Sequence, residues 1–211
     1  MRIMLLGVPG AGKGTQAELI SSRLGIPALS TGNLLRAAIA AETPLGLQVK
    51  DILARGELVS DEIILPLIKE RAEEPDCARG YILDGVPRTL VQAEGLEALG
   101  FAVDYCLFFD VPDEVVIDRL AGRRTCACCN KVFHVRVNPP KVADICDACG
   151  GALYIRPDDE LETVKYRLNV FRGQTAPLVD FYKTRGKLKV VPSAGTVEKT
   201  SAAVWEALGI Q

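Results

Sequence analysis

Two groups of residues in this chain are spaced for chemistry. The first is Gly7-Val8-Pro9-Gly10-Ala11-Gly12-Lys13-Gly14-Thr15, directly after the apolar run Ile3-Met4-Leu5-Leu6. A buried strand that runs into a glycine-rich turn and then a helix makes a phosphate cradle. Backbone N–H groups point inward, the helix N-terminus adds partial positive charge, and Lys13 adds a full one. This run predicts binding of a nucleotide triphosphate; a glycine-rich turn without a ligand fits the flanking strand and helix patterns poorly. The generic loop places Ser or Thr directly after the lysine. Here Gly14 intervenes and the hydroxyl arrives one residue late, on Thr15.

The second group is sulfur. Cys126 and Cys129 form one C-x-x-C pair, and Cys146 and Cys149 form another, with sixteen residues between the pairs. Two such knuckles can set four thiolates tetrahedrally around zinc, and cobalt or iron would accept the same donors. A closed four-ligand set has no open position, which argues for a structural metal and not a catalytic one. Cys128, inside the first pair, and His134, the sole histidine, could each replace a ligand; packing or hydrogen bonding is the other reading of His134. With four thiolates and a dication the formal charge moves from −2 to −4. Cys106, in an apolar run, reads as a core thiol, and Cys77 also lies outside the cluster.

The elements that must position these groups follow from the apolar pattern. Arg2–Leu6, Ile26–Leu29, Tyr81–Leu83, Tyr105–Phe109 and Leu188–Val191 read as strands. Helical periods separate most of them, which predicts an α/β fold with a five-stranded parallel sheet and helices on both faces. Helices are expected from Lys13 to Leu24, from Thr43-Pro44 to Gly56, over Asp61–Glu74, and from a capping box at Thr89–Gln92 to Gly100. Further helices are expected from Pro112 in a first turn to Ala121, over Glu160–Arg185 with a kink or break at Pro177, and over Thr196–Leu208. Residues 122–159 break the rhythm: they hold five of the seven cysteines and show almost no helical period, so they read as a small inserted subdomain that a metal would staple.

Composition sets the outer bounds. At 211 residues and 48% apolar content the chain is one domain with insertions and has ample core. Acidic residues number 27 against 25 basic, so nothing suggests a nucleic-acid surface. No apolar run reaches membrane length, the N-terminal run is too short for a secretory signal, and the cysteines read as free or metal-bound. The expectation is a cytoplasmic protein with no membrane or nucleic-acid partner.

Several motifs together resemble one family, the adenylate kinases of the long-lid, zinc-binding bacterial type. They are Gly7–Gln16 with the delayed Thr15, Ser30-Thr31-Gly32-Asn33-Leu34-Leu35-Arg36, Leu83-Asp84-Gly85-Val86-Pro87-Arg88-Thr89, and Gly122-Arg123-Arg124. The paired knuckles, Arg156-Pro157-Asp158-Asp159, Arg167 and Thr175-Ala176-Pro177-Leu178 complete the set. The resemblance implies a P-loop NTPase fold and the Mg2+-dependent reaction ATP + AMP ⇌ 2 ADP in a monomer. It divides the chain into a core (1–29, 60–121 and 160–211), an AMP-binding arm (30–59) and a lid (122–159).

The same resemblance implies the site. Lys13, Arg88, Arg119, Arg123, Arg156 and Arg167 would neutralise charge in phosphoryl transfer, with Asp84 as the acidic partner of Mg2+. Gly10, Ala11, Gly12, Lys13, Gly14 and Thr15 would hold the ATP phosphates; Arg119, Arg123, Val132, Phe133 and Gly195 would complete the ATP site. Thr31, Arg36, Glu57, Leu58, Val59, Gly85, Val86, Pro87, Arg88, Gln92, Arg156 and Arg167 would contact AMP. Gln92 carries two readings, base recognition and helix capping, of which base recognition is favoured. Asp158 and Asp159 could pair with lid arginines or simply open the next helix. The sequence departs from the family at Asn33, where Asp is usual, and at Val86, where Phe is usual. A uridylate/cytidylate kinase or a GTP-using AMP kinase of the same fold are rival readings. A zinc-ribbon binding module is the rival from another class, and the net acidity argues against it.

Overall fold

The computed structural model describes residues 1–210. Its strands are β1 (Arg2–Leu6), β2 (Ala28–Ser30), β3 (Tyr81–Asp84), β4 (Tyr105–Asp110), β5 (Arg123–Cys126), β6 (Val132–His134), β7 (Leu153–Tyr154) and β8 (Leu188–Pro192). Its α-helices are α1 (Lys13–Leu24), α2 (Thr31–Ala40), α3 (Pro44–Ala54), α4 (Asp61–Ala72), α5 (Leu90–Ala98), α6 (Asp113–Ala121), α7 (Leu161–Val170), α8 (Pro177–Thr184) and α9 (Val197–Leu208).

Five strands form one sheet in the order β2-β3-β1-β4-β8, and every pairing is parallel. β1 lies at the centre, with Met4 opposite Leu83 on one side and Cys106 on the other. Alternation along β1 feeds both faces. Ile3 and Leu5 join Ile20, Leu107, Phe109 and Val204 in one apolar cluster; Met4 and Leu6 join Leu35, Val49, Ile68, Leu83 and Leu178 in another. A sheet covered on both faces needs nearly continuous apolar strands, which is why β1 and β3 read so clearly in the sequence. The crossovers bring the carboxyl ends of β1, β2 and β3 to one edge, and at such edges parallel sheets bind ligands.

Residues between β5 and β7 form a second, antiparallel sheet in the order β6-β5-β7. Its apolar core is Cys126, Phe133, Cys146 and Leu153 alone. α2 and α3 pack together through Gly46, whose missing side chain lets α3 lie against the backbone at Ala38 and Ile39.

Two expectations need correction, one is refined, and one helix was not anticipated. The strand expected at Ile26–Leu29 is Ala28–Ser30; Ile26 is still buried, and the Pro27 carbonyl accepts from Ile82 N–H at 2.9 Å. Pro112 is the N-cap of α6 with an extended backbone, so it precedes the first turn. The long helix over 160–185 is divided: a π-helical turn at Phe171–Thr175 separates α7 from α8. Pro177 has no N–H for the Gly173 carbonyl, and the chain widens ahead of it, with Ala176 N–H reaching the Phe171 carbonyl at 2.8 Å. α2 was not anticipated; its Thr31 and Leu35 are buried.

Candidate functional site

The phosphate cradle forms where β1 meets α1. Gly12 is the N-cap of α1 in the left-handed region (φ 92°), which a β-carbon would strain, and no side chain caps the helix. The first-turn N–H groups of α1 are therefore left to a ligand. Gly10 (φ 82°) lies against α6: a β-carbon there would meet Leu120 at 2.9 Å and Val116 at 3.1 Å. Ser193, buried after β8, donates to the Ala11 carbonyl at 2.6 Å and braces the loop from the other side. Lys13 Nζ donates to the Gly7 and Val8 carbonyls at 2.6 and 2.8 Å. Desolvation pushes its ammonium down to about 8; Asp84 pulls it back, while Arg88, Arg167 and Arg123 push it further down.

Cations converge on this loop from several elements. Arg119 on α6 lies beside Gly12 and donates to the Gly195 carbonyl at 3.0 Å, joining two residues expected at the ATP site. Arg88 Nε donates to the Gly85 carbonyl at 2.9 Å, and Thr31 Oγ1 donates to the same carbonyl at 3.1 Å. Arg36 Nη2 donates to Asn33 Oδ1 at 2.8 Å. Arg123 grips Asp159 through two donors, and Arg167 pairs with Asp158 at 2.7 Å and with Asp159 at 3.5 Å. Arg156 is buried, and its Nε has no hydrogen-bond partner among the described residues.

These guanidiniums act on one another. Burial lowers Arg88 to about 10, with Arg167 and Arg36 adding repulsion; burial lowers Arg156 to about 9, with Arg123 and Arg36 adding theirs. Burial works to raise Asp158, but Arg167, Arg123, Arg156 and Arg36 outweigh it and hold the carboxyl below its ordinary value. Asp158 and Asp159 thus satisfy both sequence readings. They sit in the 3-10 turn that opens onto α7, and they neutralise arginines.

An open cleft adjoins this cluster. Thr31, Arg36, Glu57, Leu58, Val59, Gly85, Arg88, Gln92 and Arg167 all line it. Val86, Pro87 and Arg156 do not: Val86 is fully buried in the core beneath, joined to Pro87 by a cis peptide bond. Glu57 is already paired with Arg55 through two hydrogen bonds of 2.9 Å. Gln92 Nα–H donates to Thr89 Oγ1 at 3.1 Å, as a capping box requires, but the reciprocal bond is displaced: Gln92 Oε1 accepts from Arg88 N–H at 2.7 Å. Of the residues expected at the ATP site, Phe133 is buried among Cys126, Cys146 and Leu153, while Val132 is exposed.

The four knuckle cysteines converge. The Sγ atoms of Cys126, Cys129, Cys146 and Cys149 lie within 4.8 Å of one another. Cys126 and Cys149 are 3.5 Å apart and Cys129 and Cys146 3.6 Å, close to the edge of about 3.8 Å for a tetrahedron with 2.3 Å Zn–S bonds. The donor set therefore fits zinc. Cys128 and His134 are not in it; His134 Nδ1 accepts from the N–H groups of Arg136 (3.1 Å) and Val137 (3.3 Å).

Two contributors escaped the sequence reading. Ser193 braces the loop, and Asp61 at the start of α4 accepts from Gln92 Nε2 at 2.7 Å. For Asp61 the only sequence signal was an acidic residue opening a helix, which many helices share.

Comparison with known proteins agrees with this geometry. The family model described as adenylate kinase matches residues 5–187. The adenylate kinase of Carboxydothermus hydrogenoformans is 49% identical over 212 residues, covering 99% of each chain. That of Caldicellulosiruptor saccharolyticus is 47% identical over 215 residues, covering both chains in full. That of Lachnospira eligens is 48% identical over 213 residues, covering 99% of this chain and 100% of its own. A phosphate loop, a cleft and an arginine cluster between them, in a chain that matches such relatives end to end, place it in the adenylate kinase family.

Proposed function

We propose that this chain catalyses the reversible transfer of the terminal phosphoryl group of ATP to AMP, giving two ADP. One observation carries the reading: Lys13 and the guanidiniums of Arg36, Arg88, Arg123, Arg156 and Arg167 form a mutually repelling cluster between the loop and the cleft. Such a cluster is electrostatically poor until anions enter it. Two phosphate tails meeting there would supply them.

The residues divide the work as follows. The backbone of residues 10–15 and Lys13 hold the ATP phosphates, with Arg119 and Gly195 towards the nucleoside. Arg36 and Arg88 hold the AMP phosphate, whose oxygens are already ionised at neutral pH and need no general base. Arg123, Arg156 and Arg167 with Lys13 bracket the moving group, where a loose transition state spreads charge over the equatorial oxygens. Guanidinium suits this role because it stays protonated and binds phosphate through two donors. Thr15 and Asp84 are the groups that would hold Mg2+ arriving with ATP, which offsets phosphate charge. Asp84 is near enough to Lys13 to raise its pKa.

Residues 30–59 act as the AMP arm and 122–159 as the lid, closing on the core to keep water from the phosphoryl group. Cys126, Cys129, Cys146 and Cys149 would hold a structural Zn2+ that gives the lid its shape. Among the described residues no helix is long and apolar enough to cross a membrane, and none of the seven cysteines is in a disulfide; a cytoplasmic monomer remains the reading that the family resemblance implies.

A nucleotide panel tests the reading. Purified protein receives Mg-ATP or Mg-GTP with AMP, UMP or CMP, and diphosphate is followed by 31P NMR. Fast turnover with ATP and AMP is expected; preference for UMP or CMP overturns the substrate assignment.

A further inference from the structure

Gln92 is buried at the wall of the cleft, and its side-chain amide is held from both ends. Oε1 accepts from Arg88 N–H at 2.7 Å, and Nε2 donates to Asp61 Oδ1 at 2.7 Å. A backbone N–H can only donate and a carboxylate can only accept. The amide therefore has one permitted orientation. Turned over, it would set NH2 against N–H and carbonyl against carboxylate, and both bonds would be lost.

Each clamp uses half of what the amide group offers. Oε1 keeps one lone pair and Nε2 keeps one N–H. Adenine presents the complement on its Watson–Crick edge, an N6 donor beside an N1 acceptor. Hypoxanthine offers the same two positions with the polarity reversed, an O6 acceptor beside an N1 donor. A buried polar group that would face an unpaired partner discriminates far better than an apolar wall does.

We propose that Asp61 is a positioning residue that sets base specificity at the monophosphate site by fixing the polarity of Gln92. The proposal rests on the assignment of the cleft to AMP. Asp61 opens α4 and Gln92 lies in α5, so the bond also ties two helices across thirty-one positions of sequence.

The test compares kcat/KM for AMP and inosine monophosphate, with ATP as donor, in the full-length protein. For Asp61→Ala, KM for AMP should rise about tenfold, KM for ATP should stay within twofold, and the AMP-to-inosine ratio should shrink at least tenfold. Asp61→Asn keeps an acceptor and should restore the ratio to within about threefold of wild type. Asp61→Ser keeps a residue favoured at helix starts but shortens its reach, and it replaces the alanine variant if that does not fold. An unchanged ratio in the alanine or serine variant, even with a lowered melting temperature, would mean a merely structural contact and overturns the proposal. Gln92→Ala separates the two claims. If it leaves the ratio intact, base reading by Gln92 itself fails. If it collapses the ratio while the Asp61 variants do not, only the role of Asp61 is lost.

Discussion

Asp159 is buried and receives two donors from Arg123, a residue thirty-six positions earlier at the start of β5. The pair closes the loop of chain that contains the antiparallel sheet, and it does so beside Arg156 and Arg167. Asp159 also lies 3.5 Å from Arg167, so one carboxylate serves two guanidiniums.

Removing that carboxylate should be costly in a specific way. Asp159→Asn leaves Arg123 without its salt-bridge partner and Arg167 with Asp158 alone, and breaking a buried pair typically costs about 3–5 kcal/mol. We expect urea unfolding to report a loss of about that size for the nucleotide-free protein, smaller in saturating phosphate. Asp158 adds an acid limb. Its carboxyl is held below 3.8 in the folded state, so its contribution is present above that value and disappears as pH falls further. Equal losses with and without phosphate would contradict this account.

Lys13 should give the same pH slope, but as a group whose charged form costs stability where that of Asp158 adds it. Its folded-state value of about 8 lies below the ordinary 10.5. Between those limits the folded protein releases a proton that the unfolded chain keeps, so stability from this group rises with pH and is lowest below pH 8. Lys13→Gln should therefore stabilise the nucleotide-free protein at pH 7 by about 1–3 kcal/mol. That advantage should close towards pH 10.5, and kcat should fall by about 100-fold or more. Thermal melts across that range check the sign; a variant less stable than wild type throughout would sink the prediction.

Gly85 should not tolerate a side chain. It has φ +84°, and a β-carbon would meet Thr31 Oγ1 at 2.8 Å and Arg88 Nη2 at 3.2 Å. Gly85→Ala should cost about 1–2 kcal/mol of stability through backbone strain. It should also raise KM for AMP at least tenfold by moving Arg88, with KM for ATP little changed. Steady-state kinetics in each substrate separates these effects.

Metal removal should act on one part of the molecule. A chelator that strips the four-cysteine site should lower the melting temperature and abolish net transfer to AMP, while far-ultraviolet circular dichroism keeps most of its helical signal. Readdition of zinc should restore both. Lost activity with an unaltered melting profile would point to a metal that takes part in chemistry.

Legibility in the sequence followed the range of the interactions. β1, the loop and α1 were readable because an apolar run, fixed glycines and a helical period are adjacent in the chain, and the knuckles because ligand spacing is local. α2 was missed because its residues were absorbed into a motif, although Ser30 stands at the N-cap position and Leu34 and Leu35 open its apolar side. The antiparallel sheet was missed because its strands are two to four residues long, too short for alternation to show. Pro177 marked the interruption of the long helix, but which turn would widen depends on packing at Phe171 and Thr175. The pairing of Asp158 and Asp159 with Arg167 and Arg123 and the clamp of Asp61 on Gln92 were settled only by tertiary approach.

The antiparallel sheet has just four apolar residues at its heart, and two of them, Cys126 and Cys146, belong to the four-cysteine cluster that could hold a metal. Such a unit has almost no cohesion of its own. With a metal held there, its persistence would be borrowed from the ion supply of the cell, whereas the parallel sheet draws on two large clusters of side chains. Newly made copies would thus pass through a stage that is folded in one half and slack in the other. Trace-element scarcity would govern how many of them ever become competent to balance the adenylate pool.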